Sequence, residues 1–440
     1  MNNLLIYFRR EARMLIITLL INMLSYPLIA SATIYYIDSQ NGNDASNGTT
    51  ISGAWNSLAK VNSRNFKPGD SICFRRGAEW IGELTINSSG TGSSPIVYTA
   101  FGKGPNPVIK NPGVNRATAI KIDADWVVVE NFLVREVHAS GINISKGADH
   151  NTIRLNEATK VGIGISVNGD HNLVTKNYVH DGTMVVNDQG GDNDYGAVGI
   201  WLFASNNEVS YNRMINCKAP CYDYGFDGGV VEFYGDVDSC YVHHNWGENC
   251  EGAFEVGGKG ATLTHNIIAY NVCINNGGAG GFHVGGKFGV KVEDMRVENN
   301  VFVDTSHSDY AIGFWGGAPG TTDFIYRNNI FYNPNYKRLS NQSGFIHENN
   351  LYYFGGKKNI GMTPGPGDKI GDPLFKNVNN KEFHLKKGSP AIDAGVDLNY
   401  SIDFDNNIVP KGAAPDIGAY EYKSKPGTVG MTKKAVGSRQ

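Results

Sequence analysis

The sequence predicts an all-β chain wound as a single-stranded parallel β-helix, a solenoid with capped ends. Three observations carry that prediction. An asparagine recurs at Asn131, Asn156, Asn177, Asn212, Asn245, Asn271, Asn300, Asn329 and Asn350, at spacings of 25, 21, 35, 33, 26, 29, 29 and 21 residues. Those spacings are a solenoid period with loops of variable length. Most copies follow an apolar or alternating stretch (VVVEN, HNLVTKN, NNEVSYN) and precede a second one (YVHD, RMIN, VFVD), with no helical pattern between. Glycine is also abundant, at 55 of 440 residues, as a chain of tight corners requires.

One asparagine in a turn would mean little. Nine in register, each flanked by strands, predict a corner repeated coil after coil. Asparagine tolerates the left-handed backbone region and hydrogen-bonds locally. Stacked amides can also bond to one another as a ladder. The leucine pattern of leucine-rich repeats is missing, and a propeller needs longer, four-stranded units.

In chain order, residues 1–32 read as an export signal. Arg9, Arg10 and Arg13 form a positive start, MLIITLLINMLSYPLIA is apolar, and Ala30-Ser31-Ala32 is a cleavage site. An uncleaved anchor is the competing reading, because the apolar run is nearly long enough to span. The mature chain is expected to be secreted or periplasmic, off the membrane and monomeric. Residues 33–110 form the entry, with SLAKVN as a short helix covering the first coil. Residues 111–355 carry the coils, so that one catalytic β-helix domain spans 33–422. Residues 423–440 are a polar tail expected to be disordered. Two neighbouring insertions, 182–196 and 216–229, break the period and would wall a groove on one side.

The formal charge is −3, and loss of the leader makes the chain more acidic. No basic tract is present, which argues against a nucleic-acid partner. Six cysteines occur without a CxxC pair, so a zinc site is not expected. Cys217 and Cys250 each lie five residues after a repeat asparagine and should stack on adjacent coils, as a disulfide or as buried thiols.

Aligning the strands after the insertions gives VVEFYGD, AFEVGGK, GFHVGGK and IGFWGG. Glu232, Glu255, His283 and Phe314 then form one column. Asp236, Lys259 and Lys287 form another, with Asp227 and Glu251 at the approach. A glutamate between apolar strand residues ordinarily just points to solvent, and GGK is often a plain loop. Convergence of polar columns, aromatic loops and insertions on the same coils favours a site. Stacked like charges need a ligand, cation or proton to compensate them. Cleavage of a uronate polymer by β-elimination would use a lysine of lowered pKa as base and a tyrosine as proton donor. Tyr222 and Lys259 suit those roles. Lys287, His283 or Glu255 would stabilise the intermediate, while Trp315 and Tyr234 wall the sugar subsites. Asp188, Asp192 and Asp194 offer hard oxygen ligands for Ca²⁺, but lack DxDG-like spacing, and a solvated acidic loop is the plainer reading; no other cofactor is implied.

The segments TIYYIDSQNGNDASNG…SLAKVN and GDPLFKNVNN…GSPAIDAG…APDIGAYEY resemble the opening and closing segments of secreted polysaccharide-active β-helix proteins. The centre, DGGVVEFYG, ENCEGAFEVGGKG and GGFHVGGK, resembles right-handed parallel β-helix polysaccharide lyases acting on alginate with a Tyr/Lys pair. That resemblance implies Tyr222 as acid and Lys259 as base. The expected substrate is an anionic polysaccharide; the columns and loops above place Glu232, Glu255, His283, Lys287, Asp227, Trp315 and Tyr234 as its contacts, with no metal assigned to the site. The Asp cluster and Arg of pectate lyases are not evident. Three other readings stay open: a glycoside hydrolase using Asp227 and Glu255, a uronate C5-epimerase, and a noncatalytic glycan-binding solenoid.

Overall fold

The computed structural model describes residues 32–277, 281–285, 288–306, 312–314 (backbone), 321–335 and 345–423. The leader up to Ser31 and the tail from Ser424 lie outside the described residues, as do Lys287 and Trp315. The chain winds as a parallel β-helix whose coils contribute strands to three parallel sheets. One coil reads Tyr241–His243, Trp246–Glu248 and Phe254–Gly257. These strands pair in parallel with Ile267–Ala269, Val272–Ile274 and Phe282–Val284 of the next.

Strand periodicity fills the interior. In the first sheet Val129, Ile153, Val174, Val209, Val242 and Ile268 lie on successive coils, and all are buried in one continuous core. No coil could cover that surface alone; stacking supplies the other half of the core.

The asparagines form the expected amide ladder, each Nδ2 from Asn156 to Asn329 donating to the next Oδ1 at 2.9–3.1 Å, but they do not occupy the left-handed corner position. From Asn156 to Asn329, each donates its backbone N–H to the side-chain Oδ1 of the asparagine one coil on, at 2.8–3.1 Å. Asn350 ends the run on Asp368 at 2.8 Å. The left-handed residue is the one before: Leu155, Lys176, Tyr211, His244, Tyr270, Asn299, Asn328 and Asn349 have φ of 53–57°. Asn131 belongs to that set, with φ 64°. Buried Phe132 holds the ladder place and donates to Asn156 Oδ1 at 3.1 Å. The first copy is therefore one residue out of register with the others. Asn151, Asn172 and Asn207 build a second ladder at another corner.

Leu58–Asn62 is the short helix expected at the entry. Ser57 accepts from the Lys60 N–H at 3.1 Å, and Leu58 and Val61 are buried against the first coil. Cys217 and Cys250 are stacked, buried thiols. A hydrogen bond between Cys217 and Cys250, together with burial, holds the Cys217 thiol well above its ordinary pKa.

The segment after Gly371 runs along the flank of the rod. Its Phe375, Phe383, Leu385 and Tyr420 pack on the outer side of the second sheet. Polar ties run from Tyr400 to Glu298 at 2.6 Å and from Asn406 to Tyr211 at 2.9 Å. The end of the core beyond Tyr352 is covered instead by Phe354, Ile360 and Met362.

Candidate active site

The outward column of the third sheet carries the site. Trp201, Glu232, Glu255, His283 and Gly313 stand on successive coils. Phe314, expected next to His283, pairs instead with Val284, because Ile312 is set opposite Phe282.

The second expected column is broken between Asp236 and Lys259, and Lys287 lies outside the described residues. Two residues separate Tyr234 from Val237, whereas five separate their partners Gly257 and Leu263. Gly258, Lys259 and Gly260 belong to this extra length. Asp236 aligns with Thr262, whose N–H donates to Asp236 Oδ1 at 2.8 Å. Lys259 thus projects on a glycine-flanked loop and is exposed.

Both insertions fold as hairpins. Met184–Val186 pairs with Tyr195–Gly196, and Ala219–Cys221 with Gly225–Asp227. A reciprocal carboxylate clasp joins them. Asp223 Oδ2 accepts the N–H of Asn193 (2.8 Å) and Asp194 (3.1 Å), while Asp194 Oδ2 accepts those of Tyr222 (2.8 Å) and Asp223 (3.1 Å). Burial opposes the charge on Asp194, yet the N–H groups of Asp188, Asp223 and Tyr222 hold its carboxyl below the usual range. Tyr224 donates to Asp192 at 2.5 Å. Burial first, then that carboxylate, raise the Tyr224 pKa. Asp192 and Asp194 are thereby committed to the clasp, and no group of three acidic, His or Cys side chains among the described residues is arranged to hold a metal ion.

Hairpins and coil loops enclose a cavity of about 860 Å³. Glu232, Glu255 and His283 form its floor. Asp227, Tyr224 and Phe226 enter from the hairpin side, Tyr234 from the far end of its strand, and Lys259 and Phe288 from the loops that follow the strands. Of the residues singled out in the sequence, Asp192, Asp194, Asp227, Glu232, Tyr234, Glu251, Glu255, Lys259 and His283 are brought together here. Tyr222 is not a lining residue; its side chain is 62% exposed, and Tyr224 lines the cavity instead.

Three carboxyl groups interact on the hairpin side of the floor. Burial, and then the Glu255 carboxylate, push Asp227 up to about 7, against the N–H of Gly228. Burial, then Glu255 and Asp227, raise Glu232 well above its ordinary value. His283 Nδ1 lies 3.5 Å from Glu255 Oε2. Burial beside a third carboxyl thus holds both Asp227 and Glu232 toward the neutral form.

This arrangement has a stability consequence. Glu232 is more easily protonated folded than unfolded, so its contribution is present at low pH and lost as pH rises through its folded pKa. Glu232→Gln should melt higher than wild type at pH 8, and the gap should close near pH 4, as read by thermal unfolding at both pH values.

Sequence reasoning missed Trp201, Tyr195, Asp223 and Phe226. Trp201 was within reach: GIWLF aligns with VVEFY once the column is extended one coil upstream.

The class this geometry defines is the right-handed parallel β-helix. The family described as "Right handed beta helix region" matches residues 118–294. Among solved structures the chain is similar to pectate lyase Pel9A, with TM-score 0.58 and 16% identity over 90% of this chain and 98% of that one. It is also similar to XylC in complex with xylose, with TM-score 0.56 and 10% identity over 89% and 99%. At these identities the likeness is one of fold. A lacto-N-biosidase of Bifidobacterium longum subsp. longum is 37% identical over 91 residues, which cover 19% of this chain and 6% of that protein. The chain thus matches only a small part of that relative's length.

Proposed function

We propose that this trench cleaves glycosidic bonds in a polysaccharide or oligosaccharide by hydrolysis, with Asp227 as general acid and Glu255 as base or nucleophile. One observation carries the reading: a buried carboxyl raised to about 7 and a second carboxyl, Glu255, 3.5 Å from His283, face the same cavity. Glycoside hydrolysis needs one carboxyl in each state on either side of the bond. The local identity to a lacto-N-biosidase supports the same chemistry.

A second reading is β-elimination of a uronate polymer such as alginate. It is favoured by Lys259, whose ammonium has no ion-pair partner among the described residues, and by the tyrosines of the neighbouring hairpin. The lining weighs against it: seven carboxyl residues face the cavity, with Lys259 and His283 as its basic residues among those described. A polyanion would meet repulsion there.

The products separate the two. Incubation with a panel of neutral and uronate polymers should release reducing ends without ultraviolet absorbance; a new absorbing double bond would establish elimination instead. The residue test is independent. Under hydrolysis Lys259→Ala should keep turnover within about threefold, whereas loss of a catalytic base would cost ~10²-fold or more.

A further inference from the structure

What the trench binds, on the hydrolytic reading, turns on two side chains that the catalytic assignment does not use. Tyr234 is 43% exposed although it is pinned on several sides. Its ring meets Trp201 edge-on at 5.3 Å and Phe203 at 5.5 Å. On the next coil it lies against Gly257, where a Cβ would fall 3.1 Å from the ring. A residue other than glycine at 257 would displace the ring. Tyr234 is therefore a fixed plate that still offers surface to the cavity.

Phe226 is the second exposed ring, at 48%, on the hairpin that also carries Asp227. The Lys218 ammonium sits 5.7 Å from its centroid. Phe226 thus enters from the hairpin side, and Tyr234 from the far end of the strand that holds Glu232. Tyr234 and Glu232 are two residues apart on that strand and so share its outward face, ~7 Å from each other. That offset is about one sugar ring.

Charge narrows the ligand further. Asp192, Asp194 and Asp223 are held by hydrogen bonds within the hairpins, and His283 is engaged with Glu255. Lys259 is the remaining lining cation among the described residues, against a floor of carboxyls. Aromatic plates bind the apolar faces of pyranose rings, and a carboxyl-lined floor disfavours acidic sugars.

We propose that the trench takes a neutral pyranose chain, with one ring stacked on Tyr234 and a second against Phe226, and the bond between them presented to Asp227 and Glu255. The substrate therefore extends to both sides of the cleaved bond, and uronate chains are rejected by charge.

The test is calorimetric binding in a Glu255→Gln background, so that turnover does not consume the ligand. The probes are tetrasaccharides of neutral hexoses, of pentoses and of N-acetylhexosamines, and a tetra-uronate. At least one neutral probe should bind at least tenfold more tightly than the tetra-uronate. Tyr234→Ala and Phe226→Ala should each weaken it about tenfold, while Tyr234→Phe, which keeps the plate, should retain affinity. Uronate binding as tight as any neutral probe, or unchanged affinity in Tyr234→Ala, would overturn the assignment. Neutral binding that follows these variants in a wild-type protein that cleaves nothing would count against hydrolysis and leave the two subsites standing.

Discussion

Asp227→Asn should remove turnover by ~10³-fold while leaving the fold and ligand binding in place. General acid catalysis contributes ~10²–10⁴-fold, and an amide cannot protonate the leaving oxygen. Asp227 is suited to the role by where the hairpin Ala219–Asp227 delivers it. It arrives next to Glu255 and Glu232, and burial with the neighbouring carboxylate lifts it to about 7. The pH profile should show this directly. Below pH 7 the acid is protonated and competent; above it, activity should fall about tenfold per pH unit. Glu255→Gln should lose turnover at every pH, since the base or nucleophile is gone. Because Asp227 is destabilising once charged, Asp227→Asn should also melt higher than wild type at pH 8. A dead enzyme that is more stable than its parent separates a catalytic loss from a folding loss. Near-wild-type turnover in Asp227→Asn would end the assignment.

The fold was legible because a solenoid writes its period into the chain. The same asparagine, strand pair and corner recur, and each copy checks the others. Errors arose where a copy was ambiguous. Asn131 carries the expected side chain but occupies the left-handed position, and Phe132 takes the ladder place. IGFWGG offers Gly313 and Phe314 as equally good continuations of the column, and strand pairing alone selects Gly313. Lys259 looked aligned with Asp236 because nothing local shows that its loop is three residues longer. The hairpins were legible as insertions but not as strands, since Asp- and Gly-rich tips give no alternation. Their clasp joins residues about thirty apart, Asn193 and Asp194 to Asp223. Which tyrosine faces the cavity follows from that clasp and not from spacing.

The second large effect concerns the ladder. Asn245→Leu keeps the volume of the side chain and should destabilise the protein by ~3–5 kcal/mol. Asn245 sits mid-run and is buried. Its Oδ1 accepts the Asn212 backbone N–H at 2.9 Å and the Asn212 Nδ2 at 3.0 Å. Its Nδ2 donates to the Val209 carbonyl at 2.8 Å, to the His243 carbonyl at 3.0 Å and to Asn271 Oδ1 at 3.0 Å. Leucine would strand at least one backbone donor and one carbonyl away from water, at ~1–3 kcal/mol for each buried orphan. The lost amide bonds add to that. The corner geometry cannot rescue it, because the left-handed turn belongs to His244 and not to Asn245. Neighbouring coils share each rung, so the damage should spread to Asn212 and Asn271, and amide exchange should rise at all three coils. An exposed control, Asn335→Ala, outside the ladder, should shift the urea midpoint by no more than ~0.5 kcal/mol equivalent. If Asn245→Leu denatured at the same urea concentration as that control, the ladder would be decoration on a rod held together by its apolar interior alone.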